Sequence, residues 1–159
     1  MRIFKYLFTV SFAISALSLS TSCDTESDTT PPVINLIEPE NDELLHIGGE
    51  VHFEMELSDD EGLKSYKVEI HNNFNSHTHE LTVRSAGEDE NTTPFAFNKS
   101  WDVSGKKNAS IHHLEIVIPE NATPGHYHFM VYCTDEAGNE SHAVREVELS
   151  HEEGEEHEH

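Results

Sequence analysis

The chain has 159 residues, of which 31 are Asp or Glu and 9 are Lys or Arg, and its formal net charge is −22 when histidine is counted as neutral. So acidic a surface repels nucleic-acid phosphates and anionic lipid headgroups, which excludes nucleic acid as a partner and leaves cations as the natural small ligands. The length suits one domain with short tails.

The N-terminal segment has the features of an export signal. Two cations precede an apolar run at residues 6–19, which is too short to span a bilayer. The run ends in LSTSC at residues 19–23, which resembles the lipobox of bacterial lipoproteins, although Ser20 stands where Leu is usual. The resemblance implies that residues 1–22 are a signal peptide and that Cys23 is lipidated. A plain secretory signal is the alternative, and either one takes the protein out of the cytoplasm.

A polar spacer follows the signal. Residues 24–30 contain only Asp, Thr, Glu and Ser, a composition expected to stay disordered. We therefore assign residues 23–31 to a disordered acidic linker, residues 32–150 to the folded domain and residues 151–159 to a disordered His/Glu tail. Acidic residues directly after a lipidated cysteine resemble signals that carry some lipoproteins to the cell surface. The expected location is the outer membrane, facing the periplasm or the outside, with membrane contact only through the lipid.

The folded domain alternates apolar and polar residues between turn signals, which is typical of half-buried antiparallel strands. The predicted strands are residues 33–37, 51–57, 63–71, 111–118, 126–133 and 144–149, with 81–83 as a short further candidate. About seven short strands without an apolar helical stripe predict an all-β, two-sheet sandwich. With Cys23 lipidated, Cys133 has no partner for a disulfide and is expected to be a small buried apolar residue.

Four motifs occur in the order seen in bacterial immunoglobulin-like domains: TTPPVI at 29–34, SDDEGL at 58–63, PGHY at 124–127 and TDEAGN at 134–139. Over residues 29–149 the chain resembles such a domain, and its signal, histidines and length resemble an uncharacterised family of lipid-anchored Ig-like proteins from Gram-negative envelopes. The resemblance implies that Tyr127 is the corner tyrosine of strand F. It also implies the strand names B for residues 51–57, C for 63–71, E for 111–118, F for 126–133 and G for 144–149. It indicates a fold and not a function.

Histidines fall on the outward face of strand F. Tyr127 points inward, so His126 and His128 point outward. Strands C and F are antiparallel neighbours in an Ig-like fold, and pairing of Lys64 near Thr134 places His71 opposite Tyr127, within one residue. Residues two apart on a strand are roughly 6.6 Å apart, so two such imidazoles reach one ion at about 2.0 to 2.1 Å each.

Strand G adds carboxylates to this face. A turn centred on Ala137 places Glu146 opposite His128 and Glu148 opposite His126. The same register sends Arg145 inward. A bulge near Arg145 would relieve this and could displace the glutamates by one place.

Together these residues predict a divalent transition-metal site, because imidazole and carboxylate are donors that such metals prefer. Zinc is the first choice and copper or nickel the next. The predicted ligands are His71, His126, His128, Glu146 and Glu148, with His77 and His79 as supplementary ligands. The tail, with His157 and His159, is either a weak metal collector or a solubilising acidic end. Solvated surface histidines are the alternative, and His46, His52, His112 and His113 are interpreted as surface or partly buried, hydrogen-bonded residues.

A second metal class is calcium, which takes several oxygen ligands such as those of Asp59, Asp60 and Asp135 at one end of the sandwich. Turns need Asp at such positions for backbone reasons alone, and the turn interpretation is favoured. Catalytic motifs are absent from the sequence, so no enzyme activity is expected. The predicted function is an envelope reservoir or delivery protein for the metal, which serves an outer-membrane transporter or another envelope protein. The alternative is a surface interaction or adhesion module that docks a protein or glycan, with no metal role.

Overall fold

The computed structural model describes residues 27–74 and 91–152. All regular structure in these two ranges is β-strand, which confirms the all-β prediction. The strands are β1 (Val33–Glu38), β2 (Glu43–His46), β3 (Glu50–Asn72), β4 (Phe97–Val117), β5 (Gly125–Asp135) and β6 (Glu140–Ser150). The predicted strand at residues 81–83 lies outside the described residues. The described part of the chain contains no helix that is long and apolar enough to cross a bilayer.

The strands are hydrogen-bonded in the order β1-β3-β5-β6-β2, with β4 beside β3. All pairs are antiparallel except β2 with β6. β3 and β4 pair along nearly their whole lengths, from Glu50 opposite Val117 to Ile70 opposite Phe97, with register shifts between Ser58 and Leu63. The first half of β3 also pairs with β1, and the second half pairs with β5. β3 therefore passes from one layer of the fold to the other at this irregular middle.

The two layers pack face to face through aromatic side chains. Phe53 lies opposite His113 in the first half of β3, yet its ring is 5.7 Å from the ring of Phe129 on β5 and 6.2 Å from that of Tyr66. These contacts join the two halves of one curled sheet into a sandwich. The most deeply buried large side chains include Tyr127, Phe53, Phe129, Met55, Leu57, Leu63, Ile70 and Ile116.

The structure has six strands where about seven were predicted. The predicted strands B and C are one continuous strand, β3, which pairs with β4 both before and after residues 59–62. β2 and the first half of β4 were not predicted. Residues 98–100 of β4 are polar and exposed, so they show none of the apolar alternation that marks a half-buried strand.

β6 has no bulge near Arg145, and the glutamates are not displaced. The β5–β6 register runs without interruption from Gly125 opposite Leu149 to Thr134 opposite Glu140. Arg145 does point inward, and its guanidinium reaches the edge of the sandwich, where Nη2 donates to the carbonyl of Leu36 on β1 at 2.9 Å. The long side chain therefore brings its charge to one acceptor without any change in backbone register, while Nε stays buried without a hydrogen-bond partner.

Tyr127 ties strand β5 to the preceding loop. Its hydroxyl donates to the carbonyl of Thr123 at 2.8 Å and accepts from the backbone N–H of Phe95 at 3.1 Å. This is the hydrogen bond to upstream backbone that defines a corner tyrosine. Cys133 is a buried free thiol, as expected, and burial raises its pKa to about 11.

We predict that Tyr127→Phe lowers the free energy of unfolding by about 1 to 3 kcal/mol, because a buried N–H and a carbonyl lose their partner. Urea denaturation measures the change. Tyr132→Phe is the matched control. Among the described residues, the Tyr132 hydroxyl donates only to the sulfur of Met130, at 3.6 Å, so its loss should cost less than about 0.5 kcal/mol. Equal effects of the two variants would contradict the role of Tyr127.

A second prediction concerns Glu43 on β2, whose pKa is raised to about 7, first by burial and further by the neighbouring Glu38, against a backbone hydrogen bond from Glu40. Because the pKa of Glu43 is higher in the folded state than in the unfolded state, the protonated carboxyl favours the folded state. The free energy of unfolding therefore falls as pH rises through about 7. Glu43→Gln should therefore raise the free energy of unfolding by about 1 to 2 kcal/mol at pH 8 and change it little at pH 5. The gain is smaller than the pKa shift alone implies, because Glu43 is partly exposed and solvent screens its charge. Glu50→Gln, at an exposed position, should show no such pH dependence, and a gain of equal size at both pH values would contradict the prediction.

Candidate metal centre

Five of the seven predicted metal ligands lie on adjacent strands of the β3–β5–β6 layer. His71 lies opposite His128, His128 opposite Glu146, and His126 opposite Glu148. We call these five residues the histidine face. The predicted glutamate register is confirmed, and the predicted position of His71 is displaced by one residue, within the stated tolerance. Side chains on β5 alternate as predicted, with Tyr127 and its inward neighbours buried while His126 is exposed and His128 is half-buried.

Two histidines of this face lie in contact. The rings of His71 and His128 have centroids 5.4 Å apart and planes at 87°. His128 Nε2 is 3.8 Å from Glu146 Oε1, and His71 Nδ1 is 3.7 Å from Glu69 Oε1. Both distances are too long for hydrogen bonds. His71 Nδ1 is itself buried and has no hydrogen-bond partner, a state that costs about 1 to 3 kcal/mol.

The remaining predicted ligands contribute less. His126 and Glu148 are exposed and face each other across β5 and β6. Within residues 27–74 and 91–152, the histidine face does not bring three ligand atoms within 4.8 Å of one another, so an ion there would require side chains to rotate. The predicted ligands His77 and His79, the lipidation site Cys23, and the tail histidines His157 and His159 lie outside the described residues.

Both segments that carry these further histidines leave the fold at the histidine face. The backbone N–H of Asn73 donates to the carbonyl of His126 at 2.8 Å, and the chain then continues toward His77. The last strand, β6, ends at Ser150, directly after Leu149, which pairs with Gly125. In both places, the described part of the chain ends beside the histidine face.

The charge of the face suits a cation. Glu69, Glu146 and Glu148 all point outward on neighbouring strands, so their fields add there. One ammonium stands at the margin, where Lys67 Nζ lies 3.3 Å from Glu69 Oε2 and 4.1 Å from the centre of the Tyr132 ring.

Histidines elsewhere fall as interpreted. His113 is half-buried between Phe53 and Trp101, its Nε2 is 3.2 Å from the Tyr66 hydroxyl, and burial lowers its pKa. His46 is exposed. His112 is exposed as well, but its Nε2 lies 2.8 Å from Nε2 of His52. Sequence reasoning missed this contact because it depends on the β3–β4 register, which the alternation within either strand does not determine.

Acidic residues gather at the opposite end of the sandwich. Asp135 is fully buried and serves the β5–β6 turn: Oδ1 accepts from the N–H groups of Gly138 at 2.6 Å and Asn139 at 2.8 Å. Burial would raise its pKa, but hydrogen bonds from Asn139 and Gly138 outweigh this and hold the pKa of Asp135 below its usual range. Asp59 and Asp60 lie near Asp28, in the segment before β1, and one oxygen from each of the three lies within 4.8 Å of the others. No local pattern in the sequence places Asp28 at this end of the sandwich.

A family model described as a domain of unknown function, DUF4625, matches residues 20–150 of the chain. No curated protein matches the chain.

Proposed function

We propose that this chain, which belongs to the DUF4625 family of domains of unknown function, binds a divalent transition metal on its histidine face. The observation that carries the proposal is the cross-strand contact of His71 with His128, at 5.4 Å between ring centres, beside Glu146. Zinc is the preferred metal, followed by copper and nickel, because imidazole and carboxylate donors suit all three.

The distances fit a site that closes on its ion. Two ligands of one tetrahedral zinc, each at about 2.0 to 2.2 Å, lie roughly 3.4 Å apart. The 3.8 Å between His128 Nε2 and Glu146 Oε1 is therefore close to the separation that a shared ion requires. Glu69, at 3.7 Å from His71 Nδ1, is placed to accept the Nδ1 proton and orient the ring, as carboxylates beside metal-binding histidines commonly do.

In the cell, we propose a lipid-anchored envelope protein that stores the metal or delivers it to an outer-membrane transporter or another envelope protein. Lipidation of Cys23 is supported by the likeness of residues 19–23 to a lipobox. The His/Glu tail and the segment with His77 and His79 would collect metal, since both leave the fold beside the histidine face. The net charge of −22 raises the local concentration of cations around the whole molecule.

The competing proposal is a surface module that docks a protein or glycan. It is favoured by apolar exposure on β4, where Leu114 and Val117 are 49% and 53% exposed. Elemental analysis of freshly purified, untagged protein separates the two proposals, because only the metal-binding protein retains a stoichiometric transition metal.

We predict that the double variant His71→Ala/His128→Ala, made in the full mature chain, binds zinc at least about tenfold more weakly at pH 7.5 in calorimetric titration. The matched control is His142→Ala, an exposed histidine on β6 that lies opposite Tyr132, away from Glu146. This control should bind zinc like the unchanged protein. Undiminished binding by the double variant, or an equal loss in the control, would refute the site.

Zinc affinity should also fall as pH drops from 7.5 to 5. Histidine in water titrates near 6.5, only the neutral ring binds metal, and protons therefore compete with the ion below that pH. Titrations at the two pH values measure the effect. Equal affinities at pH 7.5 and pH 5 would show that carboxylates and not imidazoles hold the metal.

A further inference from the structure

We propose a second, separate site: Asp28, Asp59 and Asp60, here called the aspartate cluster, bind one calcium ion that fixes the segment before β1 to the end of the sandwich. Asp28 comes from that segment, while Asp59 and Asp60 come from the irregular middle of β3. Their ligand oxygens lie within 4.8 Å of one another.

Three carboxylates so close repel each other. A pair of unit charges 4 Å apart interacts by about 1 kcal/mol in water and about 4 kcal/mol at the effective dielectric constant near a protein surface. Among residues 27–74 and 91–152, no Lys, Arg or His nitrogen lies within ion-pair distance of these carboxylates. The nearby ammonium of Lys107 donates to the backbone carbonyl of Asp60 instead. A bound cation would remove the repulsion.

Unpartnered oxygens provide an independent indication of the ion. Asp28 Oδ1 accepts from the N–H of Thr30 at 2.8 Å, and Asp59 Oδ1 accepts from the N–H groups of Glu61 at 3.0 Å and Gly62 at 2.6 Å. The second oxygen of each, Oδ2, is buried and has no hydrogen-bond donor. The turn geometry thus accounts for one oxygen of each carboxylate and leaves the other for a ligand. A buried carboxylate oxygen without a donor is costly.

Calcium fits the cluster better than other ions. It takes six to eight oxygen ligands at about 2.3 to 2.6 Å, so two oxygens on opposite sides of one ion lie up to roughly 5 Å apart. Magnesium requires about 2.0 to 2.1 Å, and zinc prefers nitrogen and sulfur donors. Carboxylates supply only part of the coordination, and water supplies the rest, as in extracellular modules that bind calcium with Kd of about 10⁻⁴ to 10⁻³ M.

The surrounding hydrogen bonds give the ion a structural role. Asn139 Nδ2 donates to the backbone carbonyl of Asp28 at 3.1 Å and to Asp135 Oδ2 at 2.8 Å. The segment before β1 is therefore already held to the β5–β6 turn, and calcium would join both to the middle of β3. Asp135 itself is not a ligand, because both of its oxygens accept hydrogen bonds within the turn.

The test uses calcium chloride with the full mature chain, in calorimetric titration and in thermal unfolding against EDTA. We expect millimolar calcium to bind with 1:1 stoichiometry and to raise Tm by about 4 °C or more, and equimolar magnesium not to displace it. Asp28→Asn and Asp59→Asn should each weaken calcium binding at least tenfold. Both keep an amide oxygen for the turn hydrogen bonds, so both should fold.

The matched control is Asp102→Asn, because Asp102 Oδ1 accepts from the N–H of Ser104 at 2.7 Å and thus has only a turn role. It should leave calcium binding unchanged. No heat and no rise in Tm with calcium, or equal binding by Asp59→Asn and Asp102→Asn, would overturn the proposal. The double variant His71→Ala/His128→Ala should keep its calcium response in full, so loss of zinc binding and loss of calcium binding report on the two sites separately.

Discussion

The long pairing of β3 with β4 is the interaction on which the rest of the structure depends. It is interrupted at residues 59–62 and resumes at Leu63, and there β3 changes its other partner from β1 to β5. That exchange lets Phe53 pack on Phe129 across the sandwich. It also sets the second half of β3 beside β5, and this brings His71 of β3 into contact with His128 of β5.

The same strand gives the two ends of the sandwich different chemistry. Its irregular middle presents Asp59 and Asp60, and its end presents His71. On β5 the distance from Asp135 to His128 is seven residues, or about 23 Å, so the two proposed ions would not share ligands. The proposed ligands at one end are all hard oxygen donors, whereas the other end combines borderline nitrogen donors with carboxylates, which would allow each end to select its own class of metal.

Much of this could be predicted where the backbone is regular. The outward histidines of β5 and the pairing of Glu146 with His128 followed from strict alternation and a tight turn, and both are confirmed. The β3–β5 register was one residue off because a register shift lies between Leu63 and Ser65, at the point where that pairing begins. Asp28 was missed because its position depends on hydrogen bonds to Asn139, more than a hundred residues away, which leave no local pattern.

The contact of Asn139 with the backbone of Asp28 would also determine how the chain stands on a bilayer if the proposed lipid anchor is present. The chain between Cys23 and Asp28 is only a few residues long, so a diacylglycerol on Cys23 would hold the aspartate cluster on the side that faces the bilayer. The imidazoles would then point away from the surface, with the C-terminal extension leaving from the same distal tip. Such an upright posture would present any captured ion to a receptor that approaches from the aqueous side.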